Sequence, residues 1–251
     1  MLYLPGSVLS KIFIMSYWDK KEKLFKYVEG VRQFFPLAEE QLDIISRIIG
    51  KFNPSIITFL DLGCGDGFLG HYIYELYPDA HGFFLDLSPE MIKKAESKDV
   101  NHNSEFVVQN FGDPDWYRSI LTSRKFDLII SGYAIHHIEN TLKKMLYRDI
   151  FDLLNTNGIF LNLEHVSSPT PVVQEMFNEL FLDGMSNYHE HIKDGKTKEE
   201  IEQIHNDPEH KILHKLESVD KQCVWLKEIG FTNVDCYMKI FELALFGGMK
   251  Q

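Results

Sequence analysis

The strongest chemical signal in the sequence is a set of carboxylates arranged around three glycines. Asp61 follows the apolar run Ile56-Ile57-Thr58-Phe59-Leu60 and opens the turn Asp61-Leu62-Gly63-Cys64-Gly65-Asp66-Gly67. Glycines so closely spaced between a buried strand and a helix bring backbone N–H groups and the positive end of the helix up to a ligand. Asp86 ends the next apolar run, close to the distance of about 20 residues past the glycines at which a carboxylate meets a ribose hydroxyl. The spacing is Gly-x-Gly-x-Gly, not the Gly-x-Gly-x-x-Gly of a pyrophosphate-binding dinucleotide site, and Asp61 and Asp66 would repel a diphosphate. They suit instead a nucleoside carrying an ammonium and a sulfonium. An NAD-dependent oxidoreductase is the alternative on the same fold, which by itself does not set function.

Positioning these groups takes a buried sheet. The run 56–60 reads as a strand buried on both faces, and from there helix and strand alternate. Helices are predicted over Phe68–Tyr77, Pro89–Ser97, Pro114–Leu121 and Thr141–Leu154, and strands over His81–Leu85, Glu105–Gln109, Phe126–Ile130 and Ile159–Leu163. Buried strands joined by helices imply a parallel sheet with right-handed crossovers. A helix over Ser218–Ile229 leads through Gly230 to Phe231–Tyr237 and then, with no crossover helix between, to Ile240–Gly248, so the last two strands form an antiparallel hairpin or a near neighbour of one. The predicted fold class is α/β, a Rossmann-like seven-stranded mostly parallel sheet with an antiparallel C-terminal strand. Apolar periodicity from Lys20 to Lys51, broken near Pro36, adds N-terminal helices within 15–52. The stretch 169–216 is helical in pattern, charged and rich in histidine, and too long for a connection. It is read as a helical cap inserted into a single domain spanning 1–251.

Phe59-Leu60-Asp61-Leu62-Gly63-Cys64-Gly65-Asp66-Gly67 resembles the first motif of class I S-adenosylmethionine-dependent methyltransferases, and Phe84-Leu85-Asp86-Leu87-Ser88-Pro89-Glu90-Met91 the second. The resemblance continues through Phe126–Gly132, Ala134–Ile138 and Leu153–Phe160, and more loosely over 230–248. It implies S-adenosylmethionine as cofactor and S-adenosylhomocysteine as product. Asp61 and Gly63, with Cys64 and Gly65 of the same turn, would lie against the methionine part, Asp86 would bond the ribose hydroxyls, and Leu87 and Met91 would flank adenine. Where many relatives place an acidic residue facing the adenine amino group, this chain offers Asn110, whose amide oxygen also accepts, beside Phe111; Asp113 is the alternative. Ser131 and Gly132 would border the methyl-transfer centre. The leading helices followed by the first motif are also broadly similar to carboxy-S-adenosylmethionine synthases and related tRNA-wobble enzymes.

Methyl transfer from a sulfonium is an in-line displacement in which alignment supplies much of the rate. A neutral oxygen or nitrogen acceptor adds the need for a base. His136 is the first candidate, with Tyr133 and His165 beside it; His137 and Glu164 belong to the same two strand ends. Tyr17 and Trp18 are placed to cover the cofactor. His189-x-His191 and the His210/His214 pair have spacings that permit a metal, but no His-Glu-x-x-His signature accompanies them and no metal ligand is assigned.

The chain has 26 basic and 37 acidic residues, a net charge of −11, which disfavours nucleic acid held through phosphates. Lys20, Lys21, Lys23, Lys26, Lys93 and Lys94 read as solvated helix faces. A small-molecule acceptor is the expected partner. Cys64, Cys223 and Cys236 form no CxxC pair, as in a protein of a reducing, cytoplasmic compartment. Residues 1–14 make a poor secretion signal, and no later run reaches the length of a membrane span. A homodimer is compatible with the sequence.

Overall fold

The computed structural model of the chain describes residues 37–100, 103–118, 124–192, 196–205 and 214–251. Tyr17, Trp18, the lysines from Lys20 to Lys26 and His210 lie outside the described residues. Helix α1 (Ala38–Phe52) leads into strand β1 (Thr58–Leu62), then α2 (Phe68–Leu76), β2 (His81–Asp86), α3 (Pro89–Ser97), β3 (Ser104–Val108) and β4 (Phe126–Gly132). After a short 3₁₀ turn at Ile135–His137 come α4 (Asn140–Leu153), β5 (Leu154–His165), α5 (Pro171–Ile192), α6 (Lys198–His205), α7 (Val219–Ile229), β6 (Thr232–Ile240) and β7 (Leu243–Met249).

The strands form one seven-stranded sheet in the order β3-β2-β1-β4-β5-β7-β6. β1 to β5 run parallel, β7 pairs antiparallel with β5, and β6 pairs antiparallel with β7. This is the mostly parallel sheet and terminal hairpin that the sequence predicts. Alternate side chains feed two cores, as the two-residue period of a strand requires. Phe59, Phe84, Leu128 and Ile130 pack on one face with α1, α2 and α3. Leu60, Leu62, Phe83, Leu85 and Ile129 pack on the other with α4 and α7.

Two predicted elements come out differently. Among the described residues of the helix predicted over Pro114–Leu121, 114–118 form turns in place of helix. Asp115 stands at φ 56, outside helical space, and Trp116 is buried with its indole N–H donated to Asp149 Oδ2 at 3.2 Å, so an anchor in the core overrides the helical pattern. β5 starts at Leu154, well before Ile159, because Leu154 already pairs with Phe126 across an irregularity in register. α5 and α6 occupy the stretch read as a cap. α5 starts at Pro171, which suits the first turn of a helix, and the hydroxyl of Thr170 accepts from Val173 N at 3.3 Å.

Candidate active site

The chain leaves β1 for β2 on one side and returns to pair β4 on the other. Ligand sites in such sheets open at this switch point, beyond the carboxyl ends of the strands. A cleft of about 1030 Å³ lies there. Its floor is the glycine turn. Gly63 has φ +70, and a Cβ on it would sit 2.4 Å from Ala134 Cβ and 3.2 Å from the Phe111 ring, so both the conformation and the space demand glycine. The amides of Gly63 and Cys64 both donate to Leu85 O, at 2.8 and 2.9 Å, tying the turn to β2.

Asp61 and Asp86 end neighbouring strands and both line the cleft. Asp61 is buried, and its Oδ2 accepts from Gly70 N at 2.8 Å, in the first turns of α2. Asp86 accepts from Gly65 N through Oδ2 and from Ser88 N through Oδ1, each at 2.8 Å, lengths typical of charge-assisted bonds. Asp86 therefore holds the turn in place as well as facing the cleft. Asp66, on the rim, pairs with Lys98 Nζ at 2.7 Å. Burial, reinforced by the carboxylates of Asp61 and Asp86, pushes the Cys64 thiol far above its ordinary pKa, so Cys64 lines the cleft as a neutral thiol and not as a nucleophile.

The remaining sequence-predicted cofactor residues divide clearly. Gly65, Leu87, Met91, Asn110, Phe111 and Gly132 line the cleft. The Asn110 amide nitrogen donates to Asp113 Oδ1 at 2.9 Å and its oxygen accepts from Gly112 N at 2.9 Å, which orients the side chain. Ser131 does not line the cleft: it is wholly buried, and its hydroxyl donates to Leu62 O at 2.7 Å, joining β4 to β1 behind the site.

The polar residues proposed for catalysis divide as well. Tyr133 faces the cleft from a left-handed backbone position, φ 53, and its hydroxyl donates to Gln41 Oε1 at 3.2 Å. His136 and His165 are not on the cleft wall, whereas His137 is. His136 is buried, and its Nδ1–H donates to Glu164 Oε1 at 2.6 Å. Burial would push the Glu164 carboxyl up, but His136, the His165 amide and Lys143 together hold it below the usual carboxylate range. His165 bonds Glu242 Oε2 through Nε2 at 2.7 Å. The physical reason is the strand pleat and the 3₁₀ turn: adjacent residues point to different sides, so only one histidine of the pair reaches the cavity.

Sequence reasoning missed Gln41, Glu139 and Leu142, which also line the cleft. Gln41 left a signal, being a polar residue on the same buried helix face as Leu42, Ile45 and Ile49. Glu139 and Leu142 left none, because they look like ordinary residues at the start of a surface helix.

This strand order, with the glycine turn and paired aspartates at its switch point, is the architecture of an α/β methyltransferase domain. A family model described as a methyltransferase domain matches residues 55–238, and the chain belongs to that family, the S-adenosylmethionine-dependent methyltransferases. A malonyl-[acyl-carrier protein] O-methyltransferase 2 of Ilyobacter polytropus is 28% identical over 147 residues, 57% of this chain and 53% of that protein. The chain thus spans about half the length of that relative. A carboxy-S-adenosyl-L-methionine synthase of Campylobacter hominis is 24% identical over 235 residues, covering 90% of this chain and 94% of that one. Among solved structures, an O-methyltransferase family protein from Burkholderia thailandensis has a TM-score of 0.59 at 16% identity, covering 88% of this chain and 57% of that chain; it shares the fold. Among the described residues, no helix is long and apolar enough to cross a membrane.

Proposed function

We propose that this chain binds S-adenosylmethionine in the cleft and transfers the methyl group to a compact small-molecule acceptor by in-line displacement. One observation carries the reading: the carboxylates of Asp61 and Asp86 stand at the ends of adjacent parallel strands, on either side of a glycine turn that lines the cavity. Such a site favours a cationic nucleoside over a diphosphate. Each Asp86 oxygen holds one backbone amide and keeps a lone pair for a ribose hydroxyl. Leu87 and Met91 flank adenine, Asn110 accepts from its amino group, and Asp61, Gly63, Cys64 and Gly65 take the methionine end.

The cavity is at the upper end of the roughly 300–1,000 Å³ typical of ligand sites, which supports room for an acceptor beside the donor. Gly132, Tyr133 and His137 border that second part, with Tyr133 and His137 supplying its polar contacts. His136 becomes a positioning residue, since Glu164 and burial keep it from the cleft. The chain works as one domain with the stretch 169–216, which carries α5 and α6, as its cap, closing the site against water. All three cysteines are free, which supports a reducing compartment such as the cytoplasm.

The test is incubation with methyl-labelled S-adenosylmethionine and a panel of hydroxyl, amine, thiol and carbon acids, read by mass spectrometry. Labelled acceptor together with S-adenosylhomocysteine is expected. The near full-length alignment with a carboxy-S-adenosyl-L-methionine synthase favours a second reading, in which the nucleoside itself is carboxylated. A carboxylated donor in place of S-adenosylhomocysteine, formed in a parallel incubation that supplies small carboxylic acids as the source of the carboxyl group, would establish that outcome. Tight, salt-sensitive tRNA binding would displace the small-molecule reading.

A further inference from the structure

The histidines next to the cleft form a cluster that cofactor binding does not require. His136 and His137 follow β4 in the 3₁₀ turn, and His214 lies in the segment just ahead of α7. One ring nitrogen from each lies within 4.8 Å of the others. The ring centroids are 4.0 Å apart for His136 and His137, 4.9 Å for His136 and His214, and 5.4 Å for His137 and His214.

We propose that His136, His137 and His214 form a three-imidazole site for a divalent transition metal at the acceptor end of the cleft. A tetrahedral ion with metal–nitrogen bonds of about 2.0–2.1 Å sets its ligand nitrogens about 3.3 Å apart, so the rings close slightly on the ion. Two further features support a built site. Glu164 Oε1 accepts from His136 Nδ1 at 2.6 Å, which leaves Nε2 as the lone-pair nitrogen, in the carboxylate–histidine–metal arrangement that orients a ligand ring. The segment carrying His214 is also held in place: Lys215 N donates to His136 O at 2.7 Å, and Lys143 Nζ bonds Lys215 O and Asn140 Oδ1. His165 stands 5.7 Å from the His136 ring and 5.6 Å from the His214 ring. Its Nε2 bonds Glu242, and the converging ring nitrogens are those of His136, His137 and His214, so His165 is a neighbour of the site.

Three protein ligands leave a position open, as in catalytic zinc sites. His137 lines the cleft, which puts that position beside the acceptor. The class of acceptor this implies, resting on the function proposed above, is an oxygen nucleophile such as a hydroxyl or enol. Bound to the ion it loses its proton to solvent. Its oxygen lone pair then forms the bond to the methyl carbon while the sulfur–methyl bond breaks, leaving the electron pair on sulfur in neutral S-adenosylhomocysteine.

The test uses the untagged full chain, stripped with a chelator and titrated calorimetrically with Zn²⁺, then with Co²⁺ followed by visible absorption. One equivalent of metal is expected, with a cobalt ligand-field spectrum of low coordination number. His214→Ala and, independently, His137→Ala are each expected to weaken Zn²⁺ at least about tenfold, and Glu164→Gln to weaken it about 10- to 100-fold. His214 does not line the cleft, so His214→Ala keeps wild-type affinity for S-adenosylhomocysteine. No stoichiometric Zn²⁺ in wild type, or Zn²⁺ affinity unchanged in both histidine variants, overturns the metal site while leaving the cofactor reading intact. Metal binding without any binding of S-adenosylhomocysteine overturns the cofactor reading and leaves the metal site.

Discussion

Asp86 has two duties, holding the turn and meeting the ribose, and replacing it by Ala removes both. The carboxylate accepts Gly65 N and Ser88 N at 2.8 Å each, so the side chain is fixed before any ligand arrives and no ordering cost falls on binding. A hydrogen bond to a charged group contributes about 1.5–3 kcal/mol, and a ribose offers two hydroxyls. Taking the carboxylate out of water offsets part of that gain. The net loss in Asp86→Ala is about 2–3 kcal/mol, or roughly 30- to 150-fold in Kd for S-adenosylhomocysteine. Asp86→Asn keeps the shape and one accepting oxygen and is expected to lose about tenfold. Calorimetric titration reads both values, and thermal unfolding beside it shows that each variant is folded. Wild-type affinity in folded Asp86→Ala would refute the assignment of this carboxylate to the ribose.

Gly63→Ala sets a methyl 2.4 Å from Ala134 Cβ at φ +70, so a loss of about 2–4 kcal/mol in urea unfolding is expected; an unaltered midpoint would contradict the tight turn. Tyr147→Phe removes the hydroxyl that donates to Gln222 Oε1 at 2.5 Å between two buried side chains, and the stranded amide oxygen is expected to cost about 1–3 kcal/mol, read the same way. His137→Ala is expected to lower kcat about 10- to 100-fold while affinity for S-adenosylhomocysteine stays within about threefold; equal losses in both would place His137 against the donor. Burial lowers the pKa of His71 below its ordinary 6.5, with the Ala95 carbonyl opposing. The unfolded chain therefore takes up the proton first, and stability falls as pH drops through about 6.5. Urea midpoints from about pH 7.5 to about pH 5.5 should fall more in wild type than in His71→Gln, and an equal fall would remove His71 from the cause.

The parallel core was legible because its strands are short apolar runs that end at recognisable turns, such as Phe59-Leu60-Asp61 and Phe84-Leu85-Asp86. The hairpin was legible from the missing helix between Tyr237 and Ile240. What the sequence hid was set by contacts distant along the chain. The helix read from Pro114 gives way to turns because Trp116 is drawn to Asp149 on α4. Ser131 reads as a site residue until its hydroxyl is seen bonded to Leu62 O. Within His136-His137 the two side chains are alike in sequence, and only the turn geometry and Glu164 decide which one faces the cleft. The approach of His214 to that pair joins residues nearly eighty positions apart, and no local pattern announces it.

Whether the carboxylates at the ends of the first two strands cradle a sulfonium nucleoside is read by titrating the full chain with S-adenosylhomocysteine and with NAD in parallel. One site for S-adenosylhomocysteine and none for NAD is the expected result. Heat of binding from NAD alone, or from neither ligand in folded protein, would contradict it.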